Sequence, residues 1–197
     1  MTADSRLERW LAAVVATPGL TAIRELAEAR RVLLDDALRG VDFVARFDGP
    51  VVDVGSGGGT PGIPLAVSLP DREVVLLEAN ERKCEFLRRW EAELPNVRVV
   101  RGRAEEQAPG SYGVAVAKAL APPPVAAEWC LALVAPGGAA ILWVGPEADV
   151  SAVQNVATLL GGGEVESGDG LLVLPKAEPT PQGFPRRAGV ARKRPLA

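Results

Sequence analysis

Apolar residues recur at helical spacing through the first quarter of the chain and gather into short dense runs beyond it. Leu7, Trp10, Leu11 and Val14 fall three and four residues apart, and Ile23, Leu26, Arg30 and Leu34 continue that period with an apolar majority. The opening 47 residues therefore predict a helical extension. The pattern changes at Pro50 to Val54, a buried-strand run that ends in the glycine cluster Gly55 to Gly59. Pro61 suits the first turn of a helix running through Ile63 to Ser68. Glu73 to Glu78 predicts a second strand. Asn80 then caps a helix from Glu81 to Leu94, whose apolar stripe is Cys84, Leu87, Trp90 and Leu94. Val97 to Val100, Tyr112 to Ala117 and Ala139 to Val144 predict three more strands. A helix over Val125 to Val134 and the turn Pro136-Gly137-Gly138 precede the last of them. Glu164 to Ser167 and Gly170 to Leu174 predict a hairpin about Asp169-Gly170.

Strands alternating with helices imply a doubly wound α/β fold, a mostly parallel sheet covered on both faces with an antiparallel hairpin at one edge. Three stretches are expected within one structural domain: a helical extension (1–47), a ligand-binding core (48–175) and a C-terminal tail (176–197). With 48% hydrophobic and 24% charged residues in 197, such a chain buries a core without staples. Cys84 and Cys130 lack metal-ligand spacing and read as reduced core thiols, so no metal is expected. Met1 to Trp10 alternates charged and apolar residues, and no apolar run nears the roughly 20 residues of a membrane span. A soluble, cytoplasmic monomer is the expectation.

Charge is uneven. The total is −3, yet from Lys176 onward six basic residues face one acid, Glu178. A basic tail on an acidic body suits a polyanion. Its prolines and glycines predict an extended segment, separate from the glycine loop, that presents Arg186, Arg187, Arg192, Lys193 and Arg194 to such a polyanion.

In sheets of this kind ligands bind beyond the C-terminal strand ends, at the point where strand order reverses. Asp53-Val54-Gly55-Ser56-Gly57-Gly58-Gly59 follows the first strand, so missing side chains let backbone approach a ligand there. Glu78, closing the second strand, can accept both hydroxyls of a ribose. Together these predict an adenosine-containing ligand. Gly57, Gly59 and Gly62 also satisfy the dinucleotide pattern G-x-G-x-x-G, which keeps a nicotinamide-dependent oxidoreductase open. Asp53 before the glycines, Pro136-Gly137-Gly138 and the terminal hairpin instead match S-adenosylmethionine-dependent enzymes.

The stretch Asp53 to Leu65, with Thr60-Pro61-Gly62-Ile63-Pro64-Leu65 extending the loop, resembles the bacterial small-subunit rRNA guanine-N(7) methyltransferases, the RsmG or GidB family. Leu20 to Arg24, Asn80 to Leu87, Arg103 to Glu106 and Thr180 to Leu196 are similar to other segments of that family. The resemblance implies a Rossmann-like class I methyltransferase fold, S-adenosylmethionine as cofactor, and ribosomal RNA or the small ribosomal subunit as partner. Asp53, Gly55, Ser56, Gly57, Gly59 and Glu78 are cofactor-binding candidates from the loop and the strand end, and the resemblance implies Gly55, Thr60, Ala104, Glu105 and Lys118. Lys118, where the family places an arginine near cofactor and target base, and Arg103, which by the resemblance would meet RNA phosphate with Arg186 and Arg187, are the catalytic candidates. The chain departs from the family pattern at Val32 (usually histidine), Asp36 (serine) and Lys118 (arginine). A diverged relative that holds cofactor or rRNA without methylating it is the remaining alternative.

Overall fold

The computed structural model describes residues 5–197; Met1 to Asp4, the start of the stretch considered for a leader, lie outside the described residues. The N-terminal extension is helical but broken. It comprises α1 (Ser5–Ala16), α2 (Leu26–Ala29), a π-helical segment (Arg30–Asp35), α3 (Asp36–Leu38) and α4 (Val41–Ala45). Helix α1 stops before Pro18, which cannot donate to a helical ladder, and Gly19, whose φ is +87°. The core then alternates: β1 (Val51–Val54), α5 (Gly62–Ser68), β2 (Val74–Glu78), α6 (Glu81–Glu91), β3 (Val97–Arg101), β4 (Tyr112–Lys118), α7 (Pro123–Leu133), β5 (Val134–Trp143) and α8 (Val150–Leu159). Strands β6 (Glu166–Gly168) and β7 (Leu171–Pro175) and helix α9 (Val190–Lys193) complete it.

The sheet order is β3-β2-β1-β4-β5-β7-β6. Strands β1 to β5 run parallel, and β7 lies antiparallel between β5 and β6. Alternate side chains separate two buried layers. Val52, Val75 and Leu77 pack with α7 and α8, while Val51, Val74 and Leu76 pack with α1, α5 and α6. The order reverses between β1 and β4, so a crevice opens there.

Three expectations need correction. β5 begins at Val134 rather than Ala139, because Gly138 lets it approach β4 closely: a Cβ on Gly138 would lie 2.0 Å from the Gly113 carbonyl oxygen. An unexpected element, α8, stands between β5 and the hairpin; the Asp149 carboxylate accepts from the Ala152 amide, and Val153, Val156 and Ala157 are buried. The third correction is the C-terminal segment, which docks on the α7 face with Ala191 buried and Phe184 and Leu196 packed against the core. Lys176 is likewise buried, donating to the Leu160 carbonyl and, at 2.9 Å, to Thr180 Oγ. Burial lowers its pKa to about 8. Both cysteines are free and buried. Among the described residues no helix is long and apolar enough to cross a membrane.

Candidate active site

The glycine loop is held from three sides. Asp53, on β1 and 1% exposed, accepts from the Ser56 hydroxyl at 2.5 Å and the Gly62 amide at 3.0 Å. Trp10 on α1 is fully buried and donates its indole N–H to the Gly58 carbonyl at 2.8 Å. Thr60 Oγ donates to the Leu33 carbonyl at 2.8 Å, in the π-helical segment. The N-terminal extension is thus a brace for the loop. Within the loop Gly55, Gly57 and Gly59 have φ of +71°, +59° and +96°, conformations that side chains resist.

Glu78 ends β2 with both oxygens engaged: Oε2 accepts from the Gly57 amide at 2.9 Å and Oε1 from the Asn80 amide at 2.8 Å. It is 8% exposed and lines a crevice of about 290 Å³ with Gly55, Arg103, Ala104 and Glu105. Ala104 starts a one-turn 3₁₀ helix (Ala104–Glu106), a position whose N–H has no partner within the helix. Asp53, Ser56, Gly57, Gly59 and Thr60 build the loop rather than line this crevice. Arg103 is exposed at the rim.

Lys118 stands elsewhere. It lines a second cleft of about 990 Å³, with Asp36, Arg39, Trp143 and Asp169. Ala119 borders both spaces. The Lys118 ammonium pairs with Asp36 at 2.5 Å, and Arg39 reaches the other oxygen of that carboxylate at 2.9 Å.

Sequence reasoning missed the far wall of the crevice, formed by Leu120, Trp129, Gly189 and Arg192. The tail read as separate from the loop is part of this site. The Gly189 amide donates to Glu105 at 3.1 Å, and the Arg192 guanidinium lies 5.2 Å from the Trp129 ring centroid while donating to the Leu120 carbonyl. Arg186 faces inward, bound bidentately by Glu128 on α7 at 2.6 and 2.5 Å, and is not held free for phosphate. Arg187, Lys193 and Arg194 are exposed. Trp129 gave no sequence signal, since α7 is apolar on nearly every side; Gly189 lay inside the tail motif.

Asp53 has a titration consequence. Desolvation outweighs its bonds from Ser56 and Gly62 and, with the charge of Glu78, pushes its carboxyl up to about 7. Its Oδ1 has no partner among the described residues. The native state therefore keeps a proton that the unfolded chain releases near pH 4, so Asp53's contribution is full below about pH 4 and lost as pH rises through about 7. Asp53→Asn should flatten the decline in melting temperature across that window. An unchanged slope would place the decline in another group.

The lining suits S-adenosylmethionine: the crevice brings together the Glu78 and Glu105 carboxylates, Ala104 at the start of the 3₁₀ turn and the side-chain-free backbone of Gly55. Among the described residues no cluster of His, Cys, Asp and Glu could hold a metal ion.

The sequence profile for GidB, rRNA small subunit methyltransferase G, matches residues 5–162. The ribosomal RNA small subunit methyltransferase G of Synechococcus elongatus is 36% identical over 198 residues, covering 90% of this chain and 82% of that protein. Among solved structures, a TehB-like SAM-dependent methyltransferase from Corynebacterium glutamicum superposes with a TM-score of 0.57 at 18% identity, covering 87% of this chain and 96% of that one. A T. thermophilus 16S rRNA N2-guanine methyltransferase, solved with AdoMet and guanosine, gives a TM-score of 0.51 at 19% identity, over 68% of this chain and 37% of that one. At these identities the structural likeness is one of fold.

Proposed function

The chain belongs to the rRNA small subunit methyltransferase G family, and from that premise we propose that it methylates N7 of a guanine in small-subunit ribosomal RNA using S-adenosylmethionine. The observation that carries this reading is a pair of spaces beyond the C-terminal strand ends that share Ala119 in their walls. One is a crevice of about 290 Å³ whose carboxylates and bare backbone would suit adenosine, and the other a cleft of about 990 Å³ with room for a base. Antiparallel β7 beside β5 and the family membership leave no support for a nicotinamide cofactor.

When bound, S-adenosylmethionine supplies an electrophilic methyl group. Guanine N7 offers an in-plane lone pair and gives up no proton on attack, so the protein's work is alignment and charge dispersal. A chain without histidine meets that need. In this scheme Glu78 holds the ribose hydroxyls and the Ala104 amide and Glu105 carboxylate hold the adenine edge. Gly55 gives backbone access, while Asp53, Ser56, Gly57, Gly59 and Thr60 fix the loop. Lys118 faces the base and Arg103 steers phosphate at the rim.

The test is tritiated-methyl transfer to rRNA from a strain lacking the enzyme, with the product mapped. One 7-methylguanine is expected; RNA binding without transfer would mark a diverged binding protein instead. The exposed cations carry a further expectation. Each phosphate contact adds about one unit to the salt slope of binding, so Arg187→Ala with Arg194→Ala should flatten that slope by about two. An unchanged slope would leave both side chains merely solvated.

A further inference from the structure

We propose that Asp36 is a specificity residue, its carboxylate reading the Watson–Crick edge of the target guanine while Lys118 meets O6. The inference rests on the functional reading above and deepens it. Asp36 follows directly on the π-helical segment Arg30–Asp35, an irregularity frequent at functional sites. That segment is fixed from both ends of the site. Thr60 in the glycine loop bonds the Leu33 carbonyl, and the Trp143 indole N–H, at the end of β5, bonds the Asp36 carbonyl at 2.8 Å. Gly40 makes room for that indole, since a Cβ there would lie 2.3 Å from the ring. The Asp36 carboxylate is thereby held in the wall of the 990 Å³ cleft, a quarter exposed and flanked by Lys118 and Arg39.

Guanine is the base that sets two donors, N1–H and the 2-amino group, beside an acceptor, O6. A carboxylate next to an ammonium is the complementary set. The order also fits. Lys118 adjoins Ala119, the residue shared with the cofactor crevice, and O6 adjoins N7 on the purine; Asp36 lies beyond, as N1 does. Asp42 and Asp169 line the same cleft, which disfavours a phosphate there and favours a base edge rich in donors. Methylation at N7 leaves a positive charge on the purine and makes N1–H more acidic. A carboxylate accepting from N1–H therefore binds more strongly as the methyl arrives, which is stabilisation directed at the transition state. Asn or Ser at this position would lack that charge.

The test has a binding arm and a transfer arm. In the first, guanosine and inosine 5′-monophosphates are titrated by calorimetry into protein free of cofactor. Inosine lacks the 2-amino donor, so the wild type should favour guanosine by about tenfold, the worth of one hydrogen bond to a charged acceptor. Asp36→Asn and Asp36→Ser should abolish the preference, with melting temperatures confirming the fold. Equal binding of the two nucleotides by the wild type overturns the proposal whatever the variants do, and so does a preference that survives in either folded variant. In the second arm, single-turnover methyl transfer to rRNA by Asp36→Asn should fall about tenfold or more at saturating RNA, with cofactor affinity unchanged. A loss confined to KM would overturn the transition-state role. Absence of transfer by the wild type refutes the enzymatic reading alone, because the nucleotide preference is measured separately.

Discussion

Arg186→Ala should lower the unfolding free energy by about 3–5 kcal/mol, because it strips the partner from a buried carboxylate. Glu128 is 2% exposed, and Arg186 binds both of its oxygens from the C-terminal segment. The pairing with Glu128 holds the Arg186 pKa above its usual value. For a chain of this length the loss corresponds to a fall in melting temperature of roughly 10 °C. Arg186→Met with Glu128→Leu should recover most of it, since removing both charges leaves no unpaired ion. Cofactor binding should weaken along with stability, because the same segment carries Gly189 against Glu105 and Arg192 over Trp129. A phosphate-binding role for Arg186 predicts the opposite: an unchanged melting temperature and a shallower salt dependence of RNA binding. Thermal unfolding of the single variant separates the two.

That contrast shows what the sequence could convey. The strands were readable because Val51, Val52, Val74 to Leu77 and Val114 to Val116 are apolar on both faces, the pattern of a covered parallel sheet. The α6 cap was readable because Asn80 stands one residue before the helix, and its side chain does accept from the Lys83 amide. The loop and Glu78 were readable for the same reason: their chemistry is local to two strand ends. Asp149 followed by Val153, Val156, Ala157 and Leu160 is an equally local signal for α8, and a period count from the cap would have found it.

The tail was another matter. A run of arginines displays its sign but not its partners, and Glu128 lies 58 residues away. The clue was Glu128 itself, a lone carboxylate within the otherwise apolar turns of α7, which must find a cation to be buried there. Lys176 gave no comparable clue, since its acceptors are the Leu160 carbonyl and Thr180. The π-helical segment was illegible too. The contacts that hold it come from Thr60 and Trp143, and nothing in Arg30 to Asp35 distinguishes it from ordinary helix.

Glu78→Ala should weaken S-adenosylmethionine binding by about ten- to a hundredfold, as expected for loss of hydrogen bonds worth about 1.5–3 kcal/mol to a charged acceptor. The carboxylate has two tasks. Its oxygens hold the Gly57 and Asn80 amides, which fixes the glycine loop against the end of β2, and in the proposed scheme Glu78, which lines the crevice, also accepts from the ribose hydroxyls. Glu78→Gln should fare little better than alanine, although it is nearly isosteric. Both oxygens already accept backbone N–H groups, so an amide NH₂ in either place sets donor against donor. Glu78→Asp keeps the charge but withdraws it by one methylene, and should fall between wild type and alanine. Calorimetric titration of the three folded variants gives the ranking. A change below twofold in Glu78→Ala, or full-strength binding by Glu78→Gln, would move ribose recognition to another residue and leave Glu78 as a loop anchor alone.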